Sequence, residues 1–167
     1  AAMKRFPLAL LCAVVGAIVA VVLIEHNGTD EPHELLNLLA SLWLGLPLFI
    51  AVTLIGEKRG WTMRARIAVQ SVALVLLALY CFSLPTGSFA PENHIFRFVI
   101  LNCGLHFLVA LGPFVGVGLE RGFWQYNKSL LLGFLTSVFY SATLFVGFCV
   151  ALAAADYLFG ADIKPDT

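Results

Sequence analysis

Apolar residues along this chain do not alternate with polar ones; they come in five long blocks separated by short polar segments. The blocks run over roughly 7–24, 35–55, 67–84, 95–119 and 129–155. Each is close to or above the ~20 residues that a helix needs to cross the hydrocarbon of a bilayer. None shows the period-two alternation of a barrel strand. Inside lipid the backbone finds no water to bond, which leaves only helices or closed barrels. The pattern therefore predicts an all-α fold, an integral membrane bundle of five transmembrane helices. The connections "EHNGTDEPHE", "GEKRGWTMRAR", "PTGSFAPENH" and "ERGFWQYNK" gather the turn-forming and charged residues. No linker marks off a second domain, so a single transmembrane helical domain over 1–167 is expected.

Composition supports the same solvent. The chain is 60% apolar and 12% charged, against roughly 45–50% and about 25% in soluble domains. A soluble domain of 167 residues has too high a surface-to-volume ratio to hide that much apolar surface. The first block follows Lys4 and Arg5 and so resembles a signal peptide. It is longer than the usual apolar core of about 7–15 residues, and no small-x-small site precedes "EHNG", so a retained helix is expected. The opening Ala-Ala-Met is set aside as a remnant or a truncated start.

The net charge is zero, which gives no reason to expect nucleic acid as a partner. The distribution of charge is more informative. Lys4, Arg5, Lys58, Arg59, Arg64, Arg66, Arg121 and Lys128, eight of the ten basic residues, fall at ends that five antiparallel crossings bring to one side. Arg97 and Lys164 are the other two, and they share the opposite side with most of the carboxylates. The positive-inside rule then puts the N-terminus in the cytoplasm and the C-terminus on the far side.

Helix association in lipid relies on close backbone approach and polar contacts, since lipid tails are as apolar as leucine. Ala9, Ala13 and Ala17, with Gly16 and Ala20 beside them, form a small-residue stripe on the first helix. Asn37, Ser41 and Gly45 form one on the second, followed by Pro47, where a kink is expected. Ser129, Gly133, Ser137 and Ser141 form one on the fifth. "GPFVGVG" near the end of the fourth helix predicts a bend or break, because Pro113 lacks a backbone donor. Gln70 and Asn37 are expected at the interface, and the four cysteines (Cys12, Cys81, Cys103, Cys149) as small buried hydrophobes without a metal or redox role.

Three groups of residues are candidates for function. Arg97, Asn102 and His106 lie on the fourth helix at membrane depth, where polar groups are costly. Asn102 and His106 are four apart and share a face; Arg97 lies near the outer boundary, where its stem can snorkel to headgroups. The functional reading is a polar pocket or proton step with His106 titrating; the plain one is a histidine bonded to a neighbouring helix. The second group is the segment before the fifth helix, with Arg121, Trp124, Tyr126, Asn127 and Lys128. Its charges and interfacial aromatics read as an anchored hairpin, or as a docking loop for a partner. Trp61 is expected to anchor the earlier loop in the same way. The third group is His26, His33 and His94, with Glu25, Asp30, Glu31, Glu34 and Glu92 near them on the outer side. Imidazole and carboxylate suit zinc or copper, but no H-E-x-x-H spacing is present. No cofactor is expected, and no nucleophile elbow, phosphate loop or dinucleotide fingerprint occurs.

The stretch "FWQYNKSLLLGFLTSVFYSATLFVGFCVALAAADYLFGADI" resembles a bacterial family of multi-pass membrane proteins catalogued as domain of unknown function 4153. The likeness rests on Phe123, Trp124, Tyr126, Asn127 and Lys128 before a long helix, and on Leu158, Phe159 and Gly160 at its end, within 120–163. The resemblance implies residence in the bacterial inner membrane and further helices beyond this turn, so that the chain is an N-terminal fragment. It implies no activity. The expected function is that of a structural or accessory subunit docking other membrane helices, more in keeping with a non-enzyme. The alternatives are a transporter or channel-like module using the polar site on helix four, and a metal-handling protein or membrane enzyme using the outer histidines.

Overall fold

The computed structural model of the chain describes residues 5–25, 33–84, 93–116 and 120–159. Among them are five long helices and one short 3-10 turn, with no strand. The helices are α1 (Pro7–Glu25), α2 (His33–Lys58), α3 (Met63–Phe82), α4 (Asn93–Leu111) and α5 (Glu120–Phe159), with the 3-10 turn at Gly112–Phe114. All five are long and apolar enough to cross a membrane.

The chain divides into two compact units, up to Leu119 and from Glu120 onward. In the first, α2 is the element on which α1, α3 and α4 all pack. Close approach is seen at Gly45 of α2, where an added Cβ would sit 3.0 Å from both Cys12 Sγ of α1 and Leu77 Cδ2 of α3. Cys12, Phe49, Val52 and Ala73 belong to the core built around this contact. The α2 stripe is used as expected, with Ser41 and Gly45 buried. The α1 stripe is not. Ala9 is buried, but Ala13 and Ala17 face outward, and the inward face runs through Cys12, the half-buried Gly16 and Val19. Gly16 meets Leu42 of α2, so backbone approach on the neighbouring stripe decides the rotation of the helix.

Polar contacts pin the same unit. Thr53, buried in α2, donates to the Phe49 carbonyl at 2.8 Å and accepts from Gln70 Nε2 of α3 at 3.4 Å. Gln70 is therefore a link between helices. The α2–α3 hairpin turns at Gly60, whose φ of 63° suits a residue without Cβ. Thr62 then caps α3 by accepting from the Ala65 amide. Trp61 lies against Gly56, so it packs on the end of α2 as well as standing at its edge. Cys12 is buried, Cys81 half-buried and Cys103 exposed, so burial is not common to the cysteines.

Two boundaries depart from the sequence reading. Pro47 sits inside α2; the helix continues although the Trp43 carbonyl loses its usual donor. The break expected at the Gly-Pro segment is present: the helix ends at Leu111, Pro113 is buried in the 3-10 turn and Gly116 has φ 75°. The fourth helix thus ends earlier than the expected 119. Segment 120–128, expected as a connection, is helical and forms the first turns of α5. Glu, Arg, Gln and Lys are good helix formers, and Asn127 Nδ2 bonds the Phe123 carbonyl one turn back at 3.1 Å. At 40 residues and 1.5 Å per residue, α5 is about 60 Å long, twice the ~30 Å hydrocarbon thickness.

Candidate functional site

One end of the unit up to residue 116 is clasped by its basic residues. Arg5 grips Glu57 through two nitrogens, the shorter bond 2.7 Å. Lys58 lies 4.9 Å from the Phe114 ring centroid, and Arg59 Nη2 donates to the Val115 carbonyl at 3.3 Å. The start of α1, the end of α2 and the turn after α4 therefore meet at this end. The opposite end holds His33 of α2, Tyr80 of α3 and His94 of α4.

At that opposite end, His33 and His94 line a single cavity of ≈ 280 Å³ together with Asn37 and Tyr80. Two of the three candidate metal histidines are thus brought together; His26 lies outside the described residues. No group of three or more His, Cys, Asp or Glu able to hold a metal occurs among the described residues. Among the described residues, Tyr80 Oη and His94 Nδ1 are buried without a hydrogen-bond partner. Buried polar atoms are nearly always paired, and both of these belong to residues that line the cavity.

The α4 trio is split. Arg97 is in line with Leu101 and Leu105, at successive steps of four, and its guanidinium lies 5.8 Å from the Tyr80 ring centroid. Asn102 and His106 occupy the adjacent stripe. His106 Nδ1 lies 2.8 Å from the Asn102 carbonyl of its own helix, and the ring is exposed. Asn102 is half-buried, with Oδ1 enclosed and unpartnered among the described residues. The expected shared pocket therefore resolves into Arg97 beside Tyr80 and a separate Asn102–His106 pair.

Of the segment before the fifth helix, Trp124 is 71% exposed on the first turns of α5 and Lys128 is also exposed. Tyr126 is half-buried and Asn127 bonds within the helix. Arg121 is placed in the helix backbone. Tyr80 is the residue that sequence reasoning missed. A single tyrosine near the end of an apolar run carries no signal until its neighbours from α2 and α4 are in place. Comparison with known protein families, with curated proteins and with solved structures gave no match.

Proposed function

We propose that this chain is a multi-pass protein of the bacterial inner membrane, with a cytoplasmic N-terminus and the C-terminus on the far side. It serves as a structural or accessory subunit that docks other membrane helices. The observation that carries the reading is His106: within the α4 span, exposed in its own unit, and with its own-helix carbonyl as its one partner among the described residues. A lipid tail offers an imidazole nothing, whereas a polar side chain on another helix does, and such cross-helix bonds average about 0.6 kcal/mol. The orientation is supported by the gathering of Arg5, Lys58 and Arg59 at one end of the unit. Native mass spectrometry of the gently extracted protein tests the proposal. A second protein should copurify with the wild type and be lost from His106→Ala, whose own thermal unfolding stays unchanged. A chain that is always found alone would sink it.

The alternative is a transporter or channel-like module. It is favoured by the enclosed, unpartnered Asn102 Oδ1 next to His106, a pairing that suits a proton or cation step. Reconstituted protein would then show pH-dependent flux that His106→Ala abolishes.

A further inference from the structure

Besides the cavity at His33 and His94, a second groove of ≈ 500 Å³ runs alongside, and Tyr80 lines both. Its floor is Leu44 and Leu48 of α2. Its walls are α3, through Leu77, and α4, through Leu101 and Leu105. Because α3 and α4 pack on α2 and hardly on each other, the groove within this unit opens sideways between them, the direction from which an acyl chain would enter. From Arg97 to Leu105, eight steps of 1.5 Å give a groove about 12 Å long. That is most of the ~15 Å half-thickness of the hydrocarbon.

Arg97 stands at the head of this groove. Among the described residues no carboxylate pairs with it, and its guanidinium lies beside the Tyr80 ring. A guanidinium beside a ring keeps its N–H edges free to grip two oxygens at once, the geometry that suits phosphate. Immediately beyond Tyr80 lies the smaller cavity, edged by the polar residues His33, Asn37 and His94. Reading from the helix ends inward, the order is hydrogen-bonding cavity, cation, apolar groove. That is the order of headgroup, phosphate and acyl chain in a phospholipid.

We infer that α2, α3 and α4 form a binding site for one anionic glycerophospholipid. Its phosphate lies on Arg97, a hydroxylated headgroup enters the cavity edged by His33, Asn37 and His94, and one acyl chain fills the leucine groove. The inference rests on the membrane placement of these helices and not on the subunit role, so losing a protein partner would leave it standing.

The test uses the full chain in nanodiscs of phosphatidylcholine doped with phosphatidylglycerol, released into the gas phase and weighed. The wild type should keep one phosphatidylglycerol in preference to phosphatidylcholine, by tenfold or more. Arg97→Gln should lose the preference, and Leu101→Trp should lose the bound lipid while retaining the cation. Circular dichroism and thermal unfolding in pure phosphatidylcholine show that both variants fold, and the Arg97→Gln comparison is repeated with Arg97→Lys, which should keep part of the preference. Equal retention of both lipids by the wild type would overturn the proposal, as would an unchanged preference in Arg97→Gln. Soluble glycerol phosphate should not compete; if it displaced the lipid at millimolar concentration, the site would be one for a free phosphate and the lipid assignment would fall.

Discussion

Glycine does opposite things at two places in this unit. At Gly45 a Cβ would press on Cys12 and Leu77, while at Gly104 nothing lies within 4 Å. Gly45→Val should therefore lower stability by about 1–3 kcal/mol through overpacking. Gly104→Ala should be neutral or stabilising by up to about 1 kcal/mol, since alanine is the better helix former. Thermal unfolding in one detergent checks both. The Arg5–Glu57 pair is half-exposed, with side chains 54% and 30% accessible, so Glu57→Gln should cost less than about 1 kcal/mol and the loss should shrink in high salt. Neither the pair nor the Gly45 contact is visible before folding, because their members lie far apart in the chain and no local pattern joins them.

Among the elements, the apolar blocks carried their own lengths, and that is why five spanning helices could be read directly. What they did not carry was rotation. A helix that is apolar all round has no amphipathic face to read, so the choice between Ala13 and Cys12 as the inward residue of α1 waited on the shape of α2. The start of α5 was misread for a related reason. A polar run after an apolar one looks like a loop, but Glu, Arg, Gln and Lys sustain a helix beyond the hydrocarbon as well as any residues do. The Thr53–Gln70 link makes an element-scale prediction. Thr53→Val keeps the shape of the side chain but leaves Gln70 without its acceptor, and should weaken α2–α3 association by about 0.6–1.7 kcal/mol. A double-mutant cycle with Gln70→Leu in a detergent unfolding assay would isolate the pair.

For the whole molecule, the candidate site was legible only as scattered residues. Arg97, His33 and His94 announced themselves as polar groups in or beside apolar runs, but their grouping around Tyr80 depends on three helices meeting at one end. The reading of sidedness makes a prediction at this scale. In a cysteine-free background, Arg59→Cys should resist a membrane-impermeant maleimide in intact cells and react once they are opened. Glu34→Cys, at the other end of α2, should react from outside. The reverse pattern would invert the orientation and place the cavity at Tyr80 on the cytoplasmic side.

The central position of α2 also bears on how such a chain is made. Synthesis delivers α1 and α2 first, and every later helix of this unit docks on a surface already laid down. Neither α3 nor α4 has to wait for the other, so the order of emergence from the ribosome is also a workable order of assembly. A chain ending at Leu84 should accordingly insert and hold α1, α2 and α3 together, with resistance to protease close to that of the same helices in the longer chain. The lipid groove would be absent from it, since the wall carrying Arg97 would be missing.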